Sequence, residues 1–154
     1  MDEKVSALLR APNFAHIATT RRDRSASVTP VWVDVEGEHV LVNGTPGRAW
    51  ARNLSRDPRV TLSVSALGNP YECATLRGHS LTPVAEGAEE HFQRLFRKYR
   101  NRTIPASDDT PPDDSFSRRI FRIEVESVHY QWQPAPDAAE EYDAFLAQMM
   151  NPAS

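Results

Sequence analysis

Short runs that alternate apolar and polar residues, joined by turns too brief to hold a crossover helix, constrain this 154-residue chain more than any other feature. Phe14 to Thr20 and Ala26 to Val35 are separated by the charged turn Arg21, Arg22, Asp23 and Arg24, and Glu36 with Gly37 returns the chain into His39 to Asn43. Such close connections join antiparallel partners. Val60, Leu62 and Val64 alternate with Thr61, Ser63 and Ser65, the pattern of a half-buried strand. Tyr71 to Val84 reads as a long strand in which Gly78 marks a bend or bulge. From Arg119 to Trp132, Phe121, Ile123 and Val125 hold odd positions and Val128, Tyr130 and Trp132 even ones. A bulge at Glu126 and Ser127 must reset that parity, because a continuous strand would turn one set outward. The expectation is a mainly β fold of about six antiparallel strands.

Helical spacing appears in three places around these strands. Asp2 caps a short helix with Val5, Leu8 and Leu9 on one face, and Ala88, Phe92, Leu95, Phe96 and Tyr99 form the apolar stripe of a longer one. Residues 137–150 predict a C-terminal helix, capped at Asp137, with Ala138, Tyr142, Phe145, Leu146 and Met149 on one face. That stripe needs cover, either from the barrel or from a second subunit. Residues 101–117, rich in proline and aspartate, predict a flexible surface loop. The whole chain, residues 1–154, is expected to form one domain with a real core.

Composition excludes several functions. The net charge is −3 with histidine neutral, so no global basic field points to nucleic acid or to an anionic membrane. No apolar run approaches the length of a membrane span, and the N-terminus lacks the pattern of a secretory signal. Cys73 is the single cysteine, placed in a strand pattern that favours a small buried hydrophobe, and a reducing cytoplasm is expected. The chain has no dinucleotide-binding glycine motif, Walker loop or nucleophile elbow. His16, His39, His79, His91 and His129 never reach metal-ligand spacing with one another or with Cys73, so no metal site is expected. His16, inside a strand, is expected to be a hydrogen-bonded core residue.

The chemistry concentrates between Val40 and Val64. A strand ends at Asn43 and Gly44, and a helix is expected to begin with Thr45 as N-cap and Pro46 as its first residue. Free amides at Gly47 and Arg48 would then face an anion at the positive end of the helix dipole. Arg48, Arg52 and Arg56 recur every four residues and place three guanidiniums on one helix face, either as a phosphate-binding row or as a solvated basic face.

Taken in order, FAHIATT (residues 14–20), VTPVWVDVEGEHVLVN (28–43), GRAWARNLSRDPRVTLSV (47–64), NPYECATLRG (69–78), Lys98 with Tyr99, and RIFRIEVESVHYQW (119–132) resemble one family. It is the split-barrel flavin and deazaflavin oxidoreductase family, similar to pyridoxamine 5′-phosphate oxidase, and within it the branch that uses coenzyme F420. The resemblance implies a split β-barrel homodimer with cofactor sites at the interface. It also implies hydride transfer from reduced F420 to a small organic substrate. Alternatives are FMN as cofactor, or a non-catalytic protein binding flavin, haem or a tetrapyrrole. Val28, Thr29, Pro30, Val31 and Trp32 would line the ring, with Trp32 equally readable as barrel packing. Asn43, Gly44, Thr45, Gly47 and Arg48 would hold phosphate and linker. Asn53 reads as a helix C-terminal residue or a cofactor contact. Trp50 stands where the branch usually has a phosphate-binding lysine, and it could stack on the cofactor or fill the core. The oligoglutamate tail of F420 would suit Arg21, Arg22 and Arg24 if they lie near the site. The resemblance identifies no catalytic acid or nucleophile, since the ring carries the reaction.

Overall fold

A computed structural model describes residues 1–101 and 117–150. The elements, in chain order, are α1 (Glu3–Arg10), β1 (Ala15–Thr20), β2 (Ala26–Val31), β3 (Val33–Glu36), β4 (His39–Gly44), α2 (Ala49–Arg56), β5 (Arg59–Ser65), β6 (Cys73–Ser80), α3 (Ala88–Arg100), β7 (Arg119–Gln131) and α4 (Ala139–Met150). All strand pairs are antiparallel, in one seven-stranded sheet of order β2-β1-β5-β6-β7-β4-β3. The expected proline-rich loop falls almost wholly outside the described residues.

The strand expected from Ala26 to Val35 breaks at Trp32, which accounts for seven strands where about six are expected. The break carries the topology. β2 and β3 are consecutive in sequence, with Trp32 alone between them, yet they stand at opposite ends of the strand order. One residue spans only a few ångströms. The sheet must therefore curl until its two edges meet at Trp32, and this seam is where the barrel closes.

One face of the curled sheet forms the core. Ala15 and Ile17 on β1, Val40 and Val42 on β4, Val60, Leu62 and Val64 on β5, Ala74 and Leu76 on β6, and Phe121 and Ile123 on β7 are all buried. His16 occupies the opposite phase of β1 and is exposed, so the strand's alternation places it outside the core where it was expected. The expected bulge is present: Arg77 pairs with Ser127 and Gly78 with Val125, which leaves Glu126 as the extra residue of β7. Gly78 is required there, since a Cβ on it would lie 1.9 Å from the carbonyl oxygen of Glu124. The expected strand from Tyr71 to Val84 is confined to Cys73–Ser80, and Val84 makes a separate two-residue bridge to Ile120. Cys73, at the strand's start, is half-buried.

Helix α1 packs Val5, Leu8 and Leu9 into the core, and the Asp2 side chain accepts a hydrogen bond from the Lys4 amide at 2.8 Å. The C-terminal helix α4 buries no residue. Tyr142 packs on Phe145, which meets Trp132 edge-on at 6.4 Å, while Leu146 and Met149 stay exposed. The barrel thus does not cover the helix's apolar face.

Candidate functional site

A cleft of about 340 Å³ opens at the seam, lined by Phe14, Thr29, Pro30, Val31, Trp32, Asn43, Gly44, Arg48, Trp50, Phe92, Leu95 and Arg118. Its aromatic wall is fixed by α3. Trp32 stacks on Tyr99, with centroids 5.1 Å apart and planes at 4°, and on Phe92 at 6.3 Å and 17°, while Phe96 meets it edge-on. Tyr99 in turn donates its hydroxyl to the Asn13 carbonyl at 2.8 Å and accepts the Val33 amide at 3.1 Å. Lys98 donates to the Val33 carbonyl at 2.6 Å and to the Leu9 carbonyl. Burial holds the Lys98 ammonium down at about 8, with Asp34 opposing. These two neighbours are therefore struts that tie α3 to β3 and α1, and they set the plane in which Trp32 lies.

The polar wall is built from Asn43. Its amide nitrogen donates to the Ala88 carbonyl at 2.7 Å and to His91 Nδ1 at 3.2 Å, and its oxygen accepts from the Arg118 guanidinium at 3.3 Å. That arrangement makes Nδ1 of His91 the acceptor and leaves the hydrogen on Nε2. The His91 side chain is wholly buried. Its Nε2 has no hydrogen-bond partner among the described residues and sits 3.7 Å from the Asp34 carboxylate. Burial is the largest cause that lowers its pKa, to about 4; Asp34 opposes this, so the ring is neutral at pH 7.

Arg118 lies over the Phe92 ring, its guanidinium carbon 3.2 Å from the centroid. Burial in the cleft lowers its pKa; Glu89 opposes this, and Arg48 pushes in the same direction as burial. Two cations thus face one cleft that no carboxylate lines among the described residues. The arrangement suits a flat aromatic ligand that ends in an anion.

Of the residues expected at the site, Thr29, Pro30, Val31, Trp32, Asn43, Gly44, Arg48 and Trp50 converge on this cleft. Val28 points out of the sheet and is 62% exposed. Thr45, Pro46 and Gly47 form a turn rather than the first residues of the helix. The helix begins at Ala49 with Arg48 as N-cap, and the Arg48 amide is taken up by the Thr45 carbonyl at 3.1 Å. Of the expected pair of free amides, that of Arg48 is therefore taken, and Arg48 lines the cleft at this corner. Asn53 lies outside the cleft, buried against β1, where it donates to Thr19 Oγ at 3.0 Å and accepts from Arg56 at 2.9 Å. Trp50 is 5% exposed, packs edge-on against Phe121 at 4.9 Å and belongs to the main core. It fills space and shows only an edge to the cleft.

Phe14, Phe92, Leu95 and Arg118 line the cleft without having been singled out as site residues from sequence. Phe92 and Leu95 were legible only as part of an amphipathic stripe. Arg118 was hidden beside the proline-rich segment, and only the pairing of β4 with β7 brings it next to Asn43.

Arg21, Arg22 and Arg24 do not reach this cleft. They line a separate depression of about 680 Å³ together with Arg56, Arg59 and Arg77. A further cleft of about 650 Å³ joins Arg21 and Arg22 to Arg52 and Arg56 on α2. A basic surface therefore follows α2 away from Arg48.

A curled antiparallel sheet with an aromatic, cationic cleft at its seam defines a split-barrel binding protein. A model of the pyridoxamine 5′-phosphate oxidase family matches residues 1–132, and the chain belongs to that flavin-binding family. Among solved structures it is similar to an F420 reductase, with 27% identity over 84% of this chain and 98% of that one and a TM-score of 0.70. It is also similar to a conserved hypothetical protein from Mycobacterium tuberculosis, at 18% identity, TM-score 0.65, over 85% of this chain and 84% of that one. An FMN-binding protein from Syntrophomonas wolfei shares 11% identity and a TM-score of 0.61, over 86% of each chain. No curated protein matches the chain. Among the described residues no helix is long and apolar enough to cross a membrane, and no cluster could hold a metal ion.

Proposed function

We propose that this chain is an oxidoreductase that binds coenzyme F420 in the seam cleft and passes a hydride from the reduced ring to a small organic substrate. The observation that carries the reading is the cleft's composition: a flat apolar wall at Pro30, Val31 and Trp32, and arginines 48 and 118 with no lining carboxylate among the described residues. The bound ring would supply the hydride. The chain's own residues would hold the ring flat against Trp32, keep water from one face and neutralise the phosphate. The similarity to an F420 reductase supports the deazaflavin over FMN. So does the basic surface along α2, which offers cations to an oligoglutamate tail that FMN lacks.

FMN remains the second reading, since the cleft itself suits either ring. Both readings place the protein in the cytoplasm as a homodimer. The uncovered face of α4, the exposed Trp132 and the exposed Val28 support the dimer. Titration of the apoprotein with F420, FMN and haem, followed by absorbance and fluorescence, tests the proposal. Saturation by F420 with turnover of a reducible substrate is the expected result. Saturation by haem alone would replace it with a non-catalytic binder. Light scattering at micromolar concentration should give twice the chain mass, and a monomer would overturn the dimer.

A further inference from the structure

We infer that Arg118 is a second anion ligand of the seam cleft, closing with Arg48 on the phosphate of the bound ligand. This deepens the cofactor reading above and rests on it for the ligand's ring, but the anion site stands on its own geometry. An arginine that serves only the fold usually spends its charge on a carboxylate. Among the described residues no carboxylate pairs with Arg118. It is held instead by neutral groups, the face of Phe92 below and the Asn43 oxygen at one edge. Those contacts hold the guanidinium in the cleft and, among the described residues, leave its remaining N–H groups for something else there.

The support behind Asn43 points the same way. An asparagine side chain can turn over, and if it did, its amide would meet Arg118 and repel it. The Ala88 carbonyl and His91 Nδ1 both accept from its nitrogen, so the oxygen is kept toward Arg118. The sheltered ring of His91 is neutral and cannot contribute a competing charge. A buried imidazole with one nitrogen lacking a partner among the described residues is a costly way to hold one amide. Its effect is to orient a cation that forms no ion pair with a carboxylate among the described residues.

Two like charges on one cleft repel, and a ligand with a phosphate relieves that repulsion. A monoester such as FMN and a diester such as F420 share this chemistry, so the test uses both with their phosphate-free counterparts, riboflavin and the deazaflavin riboside. Affinities are measured for the wild type, Arg118→Gln, Arg118→Lys and Arg48→Gln, with circular dichroism as a check of folding. Loss of a charge-assisted contact should weaken the phosphorylated ligand roughly 10- to 100-fold in Arg118→Gln and leave its phosphate-free counterpart unchanged. Arg118→Lys should recover part of the loss. An equal loss for both ligands of a pair, or no loss for either, overturns the inference. If the wild type binds none of these rings, the cofactor reading fails, and inorganic phosphate decides the anion site. A melting temperature raised by phosphate over chloride at equal ionic strength, and not raised in Arg118→Gln, supports it; no rise in the wild type overturns it.

Discussion

The indole of Trp50 lies directly over the Cα of Gly44: a Cβ added to that glycine would fall 2.5 Å from Cζ2 of the ring. The last residue of β4 is thus a glycine because the helix that follows folds its tryptophan back onto it. This contact joins the cleft to the core, since Gly44 lines the former and Trp50 fills the latter against Phe121.

Placing at position 50 the lysine that the resemblance to the F420 branch leads one to expect should therefore lower stability before it helps any phosphate. Trp50→Lys removes a buried aromatic, with an expected cost of about 3 kcal/mol or more. Trp50→Phe should cost less because it keeps an edge contact with Phe121. Melting curves of the two variants check the order, and a Trp50→Lys protein as stable as the wild type would place the indole outside the core.

Gly78→Ala should be among the most damaging small substitutions in the chain. The added methyl would meet the backbone carbonyl of Glu124, which cannot rotate away without undoing the bulge at Glu126. Chemical denaturation should show a loss of several kilocalories per mole, on the order of 3 kcal/mol, the scale of severe overpacking. Gly47→Ala, where a Cβ meets nothing within 4 Å, is the control.

The bulge was legible in the sequence because parity is arithmetic: Val125 and Val128 cannot share a face of an unbroken strand. The break at Trp32 was not, because Val31, Val33 and Val35 keep one phase across it. There the deciding fact is global, the closure of the sheet, and nothing local announces it. The helix start was misplaced for a related reason. Thr45 and Pro46 are good N-cap and first-turn residues, yet the turn they form delays the helix to Ala49, where Trp50 can reach the core. About two-thirds of the cleft's lining came from residues legible in sequence as a group, whereas Arg118 depends on a pairing between distant strands.

His91 should make stability fall in mild acid. Folding lowers its pKa from 6.5 to about 4, through burial first, with Asp34 and Glu36 opposing and Arg94 and Arg122 assisting. The unfolded chain takes up the proton first. The contribution is therefore full above about pH 6.5 and is lost as pH falls toward about 4, at most about 3 kcal/mol by linkage. Melting temperatures between pH 7.5 and pH 4 should drop less steeply for His91→Phe than for the wild type, and equal slopes would place the titration elsewhere.

The basic surface along α2 gives a prediction that separates the two cofactors. Arg22 is exposed and lines both basic clefts beyond Arg48. If the oligoglutamate tail of F420 runs there, Arg22→Glu reverses one exposed charge beside a polyanion. That is worth about 1 kcal/mol, roughly fivefold in affinity at low salt. FMN, which has no tail, should bind the variant as it binds the wild type. Because the interaction is solvent-exposed, about 1 M salt, which shortens the screening length to roughly 3 Å, should remove most of the difference for F420. A salt-sensitive loss confined to F420 would place the tail on this surface. Equal F420 affinity for variant and wild type at low salt would send the tail elsewhere, and the case for the deazaflavin would then rest on resemblance rather than on the arginines of this chain.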